Sequence, residues 1–279
     1  MEMRAKPVAD ALLAEYSART AALKDSGITP TLAVVRVGER EDDLAYERGI
    51  LKRFDMAGAK AEVHTFPEDI TTEDLAKAVT ALDKDPLVHG ILMFRPLPRH
   101  LDEELLRNLV SSRKDVDCMG DENRAHVFSQ DGKGYPPCTP EAVVEMMKFY
   151  NVPMEGKKVT VVGRSMVVGR PLAMLLLKEN ATVTICHTRT KDLPAECKNA
   201  DIICAAAGSA GMIGADCVRS GQIIMDVGIN VVDGQLCGDV DFEAVKDIAQ
   251  GITPVPGGVG GVTTTMLLKH VIRSAEEAK

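Results

Sequence analysis

The sequence predicts an α/β protein of two domains, each a parallel β-sheet between two layers of helices. In both halves of the chain, runs with helical spacing alternate with short, β-branched runs, as parallel sheets require. The 279 residues exceed one typical small domain. Two stretches dense in Gly and Pro, residues 132–140 and 254–261, interrupt the alternation. We expect the chain to cross between the domains at these stretches.

The first half begins with an amphipathic helix that ends near Gly27, followed by strands and helices in turn. Its second strand-to-helix connection carries Thr71 and Thr72 before two acidic residues, which is typical of a helix start. The predicted elements are helix 8–24, strand 31–37, helix 43–56, strand 61–66, helix 75–82 and strand 88–94.

The second half repeats the alternation and closes on an amphipathic helix. Its strands are rich in Val and Ile, as expected for strands buried on both faces of a parallel sheet. The predicted elements are helix 140–150, strand 157–163, helix 171–178, strands 181–187, 201–206 and 222–227, and helix 264–278.

Composition excludes several classes of function. The net charge of −8 argues against a nucleic-acid partner and against an anionic membrane surface. No apolar run is long enough to span a bilayer, and the N-terminus lacks an apolar signal core. The seven cysteines form no C-x-x-C pair, which indicates free thiols in a reducing compartment, the cytoplasm. The six His show no ligand spacing, so no metal site is expected.

The strongest local signal is the segment 157–171, KKVTVVGRSMVVGRP. A strand runs into Gly163, passes Arg164 and Ser165, and reaches Gly169 at a helix start. Ser165 occupies the middle position of the G-x-G-x-x-G pattern. A tight Gly turn of this kind delivers a pyrophosphate to backbone N–H groups at the helix N-terminus. The segment predicts a Rossmann-like dinucleotide-binding domain, with a plain strand–helix turn as the alternative.

The following strand ends at Thr188 and Arg189, where NAD-binding domains place an acidic residue on the ribose 2′-hydroxyl. A hydroxyl and a cation at this point, together with Arg164, favour a 2′-phosphate and hence NADP. Asp192 lies nearby, so NAD stays open as the alternative.

Two further features are ambiguous when taken alone. Asp115 and Asp117 in the segment KDVDC could mark a helix exit, a metal-binding fragment or a ligand anchor, and a solvated loop is the simplest interpretation. Tyr46 on the second predicted helix is most simply a half-buried core residue.

Together these pieces resemble the bifunctional methylenetetrahydrofolate dehydrogenase/methenyltetrahydrofolate cyclohydrolase family over nearly the whole chain. Each motif is short, but they occur in the family's order. The matching segments are Val37-Gly38 with Tyr46, KDVDC at 114–118, PPCTP at 136–140, VVGRSMVVGRPLAMLL at 161–176, ATVTICHTRT at 181–190, DVGIN at 226–230 and ITPVPGGVG at 252–260.

The resemblance implies an N-terminal folate-binding domain, residues 1–139 completed by 263–279, and a Rossmann domain, residues 140–262. It implies a folate cleft between them, tetrahydrofolate one-carbon derivatives as substrates, and a homodimer.

It also implies roles for individual residues. Gly163, Arg164 and Ser165 would hold the pyrophosphate and 2′-phosphate, Thr188 would assist at the 2′-phosphate, and Ile229 would lie near the nicotinamide. The folate would contact Tyr46, Asp117, Pro96, Leu97, Gly257 and Gly258, of which Tyr46 and Asp117 belong to the catalytic set.

The chain departs from the family at the catalytic Lys four residues after the Tyr, which is Ile50 here, and at its partner Gln, which is Phe94. On a regular helix Ile50 lies roughly 40° from Tyr46 and Lys52 roughly 240° away, so Lys52 does not replace the missing Lys. The family's Ser before the Tyr is Asp43, and its Pro after GGVG is Gly261.

These departures separate the two family reactions. Removal of hydride needs mainly orientation, whereas addition of water needs a positioned acid or base. We therefore expect a dehydrogenase whose cyclohydrolase activity is weak or lost. The alternatives are a fully bifunctional enzyme in which Tyr46, Asp43 or Lys52 acts as a substitute base, a non-catalytic folate or dinucleotide binder, and a different Rossmann enzyme acting on a carboxylate substrate.

Overall fold

The structure, a computed structural model, describes residues 1–278 and divides into two compact units. The first unit comprises residues 11–136 and the chain from Thr264 onward, and the second comprises residues 1–10 and 137–263. Each unit contains a parallel sheet with helices, as the alternating pattern predicts.

The sheet of the first unit has three parallel strands in the order β2-β1-β3. The chain therefore passes from the central strand to one edge and then crosses to the other, which creates a switch point at the carboxyl ends of the strands. The elements are α1 (Ala5–Asp25), β1 (Thr31–Val37), α2 (Glu41–Met56), β2 (Lys60–Phe66), α3 (Thr72–Lys84), β3 (Gly90–Met93), α4 (Glu103–Arg107), α5 (Asp121–Ser129) and α10 (Gly260–Glu277), of which α1 and α10 begin in the second unit.

The two faces of β1 are covered differently because successive side chains point to opposite faces. Val35 and its odd-numbered neighbours pack with Leu75 and Val79 of α3 in one apolar core. On the other face Arg36 forms an ion pair with Glu47 of α2. The face beneath α2 is thus the one that carries charge toward the carboxyl end of the sheet.

The sheet of the second unit has five parallel strands in the order β10-β7-β6-β4-β5, with a separate antiparallel hairpin. Crossovers run in both directions from the central region, as in Rossmann-like domains. The elements are α6 (Cys138–Phe149), β4 (Lys158–Val162), α7 (Gly169–Lys178), β5 (Thr182–Cys186), α8 (Leu193–Lys198), β6 (Ile202–Ala205), a 3₁₀ turn (Ala215–Cys217), β7 (Ile223–Asp226), the hairpin β8 (Asn230–Val232) and β9 (Gln235–Cys237), α9 (Phe242–Val245) and β10 (Gly251–Ile252).

The long elements agree with the sequence predictions to within a few residues, and β1 has the predicted bounds. The short ones, α4, α5, α8, α9 and β8 to β10, were not predicted because few residues give no readable period. Their starts depend instead on local caps: the Asp102 carboxylate accepts a hydrogen bond from the Leu105 amide at the start of α4.

The first ten residues belong to the second unit, because the Met3 amide donates to the Ile252 carbonyl at 2.8 Å and the Ala5 amide donates to the Gly257 carbonyl at 2.8 Å. Of the helices in residues 1–278, none combines the length and apolar character needed to cross a membrane. The same residues contain no group of three or more His, Cys, Asp or Glu side chains arranged to hold a metal ion.

Candidate functional site

The Gly turn lies at the carboxyl end of β4, between the edge strand β5 and the central strand β6 of the second unit's sheet. Gly163 has φ of +130°, and a Cβ there would overlap the carbonyl oxygen of Ala206. A Cβ at Gly169 would overlap the carbonyl of Gly163. Both positions therefore require glycine, and the chain brings backbone N–H groups of the α7 N-terminus close to the strand end, as a bound pyrophosphate requires.

Ser165 stabilises this turn. Its Oγ accepts hydrogen bonds from the Val168 amide at 3.1 Å and the Gly169 amide at 3.4 Å. The hydroxyl proton can still be donated, so the same side chain can cap the helix and contact a phosphate oxygen. The neighbouring Arg164 is exposed.

The loop after β5 adjoins the Gly turn, because the Gly163 amide donates to the Cys186 carbonyl at 2.9 Å. It is a tight turn in which Thr190 Oγ1 accepts from the His187 amide at 2.8 Å, with Thr188 and Arg189 exposed at its tip. The structure thus brings the loops of Arg164, Thr188 and Arg189 together at one edge of the sheet.

Asp192, the residue that left NAD open, is committed elsewhere. Its Oδ1 accepts from the Ala195 amide at 3.2 Å and caps α8. A capping carboxylate is less available to a ribose hydroxyl, so this contact favours the phosphate-binding interpretation.

The loops after β7 and β10 meet in the same unit. Ile229 is 63% exposed, and its Cδ1 lies 3.4 Å from the position that a Cβ on Gly260 would take. Gly257 has φ of +100°, and a Cβ on Gly258 would overlap the Pro254 carbonyl. Glycine at 257 and 258 therefore allows a close backbone turn beside an exposed apolar side chain.

In the first unit, the segment KDVDC continues the sheet beside β3, where the Ile91 amide donates to the Lys114 carbonyl at 2.7 Å. The buried Asp115 carboxylate accepts from the amides of Met119 at 2.8 Å and Gly120 at 2.9 Å. Burial raises the pKa of Asp115 to about 6, while these amides act in the opposite direction. Asp115 is therefore a structural anchor, and Asp117 is the half-exposed carboxylate.

The C-terminal helix holds this segment from the other side. His270 Nδ1 donates to the Val116 carbonyl at 2.7 Å, and Ser274 Oγ donates to the Arg113 carbonyl at 3.0 Å. Residues more than 150 positions apart thus fix the backbone on both sides of Asp117.

Helix α2 directs Tyr46 and Ile50 toward the sheet and Lys52 toward solvent. Ile50 is fully buried and Lys52 is exposed, as the helical angles predict. Tyr46 is half-buried, and its ring centroid lies 5.7 Å from that of Phe94 at the end of β3. The two positions where the resembling family has Lys and Gln are therefore both apolar and buried, close to the same tyrosine.

Two ion pairs beside them were not anticipated from the sequence. Arg36 Nε contacts Glu47 Oε2 at 2.8 Å with both side chains nearly buried, and Arg36 Nη1 also donates to the Gly38 carbonyl. Arg40 donates to both carboxylate oxygens of Asp43, at 2.9 and 2.8 Å. The sequence contains one sign of the first pair: Arg36 is a charged residue within the apolar strand β1, where a buried charge needs a partner.

A groove of about 970 Å³ lies at the carboxyl ends of all three strands of the first unit. Pro96 and Leu97 line it, which is the location where ligands bind in open α/β sheets. Its other walls come from residues 37–40, 68–69 and 98–100.

Models of one protein family match both units of the chain. Residues 3–117 match the model of the tetrahydrofolate dehydrogenase/cyclohydrolase catalytic domain, and residues 137–279 match the NAD(P)-binding domain of the same family. The chain is 51% identical over 273 residues to the bifunctional protein FolD of Alkaliphilus oremlandii, covering 98% of this chain and 96% of that protein.

Two solved structures are also similar over nearly their full lengths. The bifunctional dehydrogenase/cyclohydrolase FolD of Campylobacter jejuni superposes with a TM-score of 0.97 at 38% identity, covering 99% of both chains. The Trypanosoma brucei enzyme, described as complexed with NADP cofactor and inhibitor, gives a TM-score of 0.94 at 31% identity and covers 99% of this chain and 97% of that one. This chain therefore belongs to the tetrahydrofolate dehydrogenase/cyclohydrolase family.

Proposed function

We propose that the protein oxidises 5,10-methylenetetrahydrofolate to 5,10-methenyltetrahydrofolate with NADP, and that hydrolysis of the methenyl product is weak or lost. One observation carries the second part: Ile50 and Phe94 are both apolar and buried, and the ring of Phe94 packs against that of Tyr46. The first part follows from the family and from a dinucleotide turn that retains its glycines.

The dehydrogenase reaction makes modest demands on the protein. NADP bound at the Gly turn supplies the hydride acceptor, and the substrate's own nitrogen lone pairs stabilise the cation that hydride loss creates. Gly163, Arg164 and Ser165 would hold the phosphates, and Ile229 would pack on the nicotinamide side. The protein's contribution is to orient the methylene carbon and to exclude water.

The preference for NADP is supported by the charges near the end of β5. Arg164, Thr188 and Arg189 provide cations and a hydroxyl at adjoining loops, whereas the Asp192 carboxylate caps α8. The related Trypanosoma brucei structure carries NADP.

For the folate, Asp117 is the group best suited to the pterin. A half-exposed carboxylate on a backbone held from both sides offers two acceptor oxygens to adjacent ring N–H donors. Tyr46 would orient the ring system, Pro96 and Leu97 would line its path, and the turn at Gly257 and Gly258 would let backbone approach closely.

The hydrolytic reaction lacks a suitable acid or base among the candidates. Lys52 points to solvent, and the Asp43 carboxylate is held on both oxygens by Arg40. Tyr46 is the remaining candidate, and its ring lies against Phe94. Without a positioned proton acceptor, hydrolysis loses an acceleration of about 10²–10⁴-fold.

Full bifunctionality is the second candidate, and one observation favours it: relatives about half identical to this chain carry the name bifunctional. A non-catalytic binder is disfavoured because the chain retains the cofactor turn together with Tyr46 and Asp117 of the family's catalytic set.

We further propose a cytoplasmic homodimer. All seven cysteines are free, and six are buried, which suits a reducing compartment.

For the dimer, strand β5 lies at the edge of its sheet with Thr182, Thr184 and Ile185 exposed and no charged residue among its five. An uncharged open edge suits pairing with a second copy about a two-fold axis. Light scattering of the native chain and of Ile185→Lys tests the dimer. We expect the mass of a dimer for the native chain and a smaller mass for the variant, and a monomer mass for both would contradict the proposal.

The decisive experiment assays both reactions on one purified sample. We expect NADPH and methenyltetrahydrofolate to form in equal amounts during oxidation once spontaneous hydrolysis is subtracted, because the enzyme does not consume the product. Methenyltetrahydrofolate supplied alone should decay at its spontaneous rate in the same buffer. Hydrolysis at a rate comparable to the oxidation would establish the bifunctional alternative, and absence of NADPH formation would remove the dehydrogenase assignment.

A further inference from the structure

Two buried carboxylates, neither of which was given a contact with cofactor or folate above, lie together at the carboxyl edge of the second unit's sheet. Asp226 is the last residue of β7, and Asp239 follows the β8–β9 hairpin. Asp239 is fully buried and Asp226 is 2% exposed. Burying a carboxylate requires hydrogen bonds that satisfy its oxygens, and the partners in this case are the loops of the cofactor edge.

Asp239 accepts hydrogen bonds from the loop after β6. Its Oδ2 accepts from the amides of Ala207 at 2.6 Å and Gly208 at 2.9 Å, and its Oδ1 accepts from the Ser209 amide at 2.8 Å. Oδ1 also accepts from Asn230 Nδ2 at 2.9 Å. A single carboxylate thus joins three successive amides of one loop to a side chain of the next.

Asp226 fixes Asp239 in turn. Asp226 Oδ1 accepts from the Asp239 amide at 3.0 Å and Oδ2 from the Val240 amide at 3.1 Å. The surrounding backbone packs closely against both side chains: a Cβ on Gly228 would overlap the Asp239 carboxylate, and a Cβ on Gly238 would overlap the Asp226 carboxylate.

The loops held by Asp239 are those that shape the dinucleotide turn. The Ala206 carbonyl, one residue before the loop, is the atom that a Cβ on Gly163 would strike. Asn230 directly follows Ile229, the exposed residue assigned to the nicotinamide side. Displacement of Asp239 would therefore move both the wall of the pyrophosphate turn and the residue beside the nicotinamide.

Asparagine cannot reproduce this arrangement. A carboxylate offers acceptor positions on both oxygens, whereas an amide replaces one oxygen with an NH₂ donor. In Asp239→Asn that donor would face either the Ala207 and Gly208 amides or the Ser209 amide and Asn230, all of which are donors themselves. The substitution keeps the volume and removes only the acceptor pattern.

We propose that Asp239 is a positioning residue of the dinucleotide site: it holds the Ala207–Ser209 loop against the Gly163 turn and Asn230 beside the nicotinamide position. This rests on the proposed NADP-dependent function. The loss of Asp239 should weaken binding of NADP and leave binding of the folate unchanged.

The test measures NADP affinity by calorimetry and Michaelis constants for both substrates, in the native chain, Asp239→Asn and a control. The control is Asp201→Asn, since Asp201 also accepts from a backbone amide, that of Lys158 at 3.0 Å, but at the amino end of the same sheet. We expect Asp239→Asn to raise the Kd for NADP at least about tenfold, with the KM for the folate within about twofold, and Asp201→Asn to leave both unchanged.

Asn230→Ala provides a second variant if Asp239→Asn does not fold, because it removes one of the Asp239 contacts and keeps the carboxylate. A rise of about threefold or more in the Kd for NADP, at unchanged folate KM, supports the proposal. An unchanged Kd for NADP in the folded variants overturns the proposal. The proposal is also overturned if Asp239→Asn and Asp201→Asn lose NADP affinity equally, in proportion to their loss of thermal stability. Absence of NADP binding by the native chain would instead remove the proposed function, and this inference with it.

Discussion

The ring of Tyr46 packs against the ring of Phe94, with centroids 5.7 Å apart and planes inclined by 39°. Tyr46 stands on α2 one turn before the buried Ile50, and Phe94 directly follows β3. The contact gives the tyrosine an apolar neighbour where the resembling family has an amide. An ammonium at the fully buried position 50 would lack the amide that the family has at position 94, so the two positions should act as a pair.

Restoring both polar groups should therefore restore hydrolysis. We expect Ile50→Lys with Phe94→Gln to accelerate decay of methenyltetrahydrofolate by about 10²-fold over the native chain. Ile50→Lys alone should give much less, because burial at position 50 without a polar partner at position 94 favours the neutral amine. Lys52→Ala serves as the control and should change neither reaction. Native hydrolysis as fast as oxidation, or loss of hydrolysis in Lys52→Ala, would contradict this account.

Arg164→Ala should distinguish the two dinucleotides. Arg164 directly follows Gly163, whose amide binds the Cys186 carbonyl just before the exposed loop of Thr188 and Arg189, and the 2′-phosphate of NADP would lie at this loop. Removing one charge-assisted contact should lower kcat/KM for NADP by about tenfold or more and leave kcat/KM for NAD nearly unchanged. The measurement is kcat/KM for each cofactor at saturating folate. Equal losses for both would show that Arg164 contacts the common pyrophosphate instead.

Asp117→Asn should abolish folate turnover without disturbing the fold. The backbone around Asp117 is fixed by Asp115 and His270, so the loss should reach at least about 100-fold in kcat/KM at unchanged NADP affinity. Asp115→Asn is the matched comparison: it replaces one of the two oxygens that accept from the Met119 and Gly120 amides with an NH₂ donor, and should lower the free energy of unfolding instead. A folate affinity that survives in Asp117→Asn would make that carboxylate structural.

Breaking the Arg36–Glu47 pair should be severe for stability. Glu47→Gln leaves a guanidinium that is 7% exposed without its charge partner, for an expected loss of about 3–5 kcal/mol in the free energy of unfolding. Arg19→Gln breaks the more exposed pair with Glu276 and should lose about 1 kcal/mol or less. Urea unfolding measures both. The double change Arg36→Met with Glu47→Leu should recover much of the loss, and equal effects of the two single variants would refute the argument.

Stability should fall as pH rises toward neutrality because of Asp226. Burial, opposed by backbone amides and reinforced by the charge of Asp239, raises its pKa to about 7. The unfolded chain loses that proton near pH 4, so the folded state binds more protons between these values. The stabilisation is complete below about pH 4 and is lost as pH approaches about 7, with a slope of up to about 1.4 kcal/mol per pH unit.

The pH prediction is tested by the difference between the native chain and Asp226→Asn in urea unfolding. Burial, with the nearby Lys114 charge, lowers the pKa of His89, which acts with the opposite sign. That contribution is present in both chains and cancels in the difference. The difference in the free energy of unfolding between the native chain and Asp226→Asn should shrink from about pH 5 to pH 7. If the two chains show the same dependence on pH, Asp226 is not its source.

Sequence reasoning worked where the signal is local. The β-branched run of β1, the Gly turn at Gly163 and the threonine cap of α3 each depend on neighbours a few residues away. The burial of Ile50 and the exposure of Lys52 also follow from the angle between helical positions alone. The short helices were missed because their ends are decided by single capping contacts rather than by a period.

By itself, then, the sequence determined the two-unit α/β architecture, the dinucleotide turn and the absence of Lys and Gln from the pair at Ile50 and Phe94. Only the tertiary structure decided which carboxylates are anchors. It makes Asp115, and not Asp117, the acceptor for backbone amides, and it pairs Glu47 with Arg36. It also makes Asp239 the acceptor for a loop about 30 residues earlier in the chain. A periodic pattern records which face of an element is buried, whereas the partner of a buried charge is set by the strand order, which brings distant loops to one edge of a sheet.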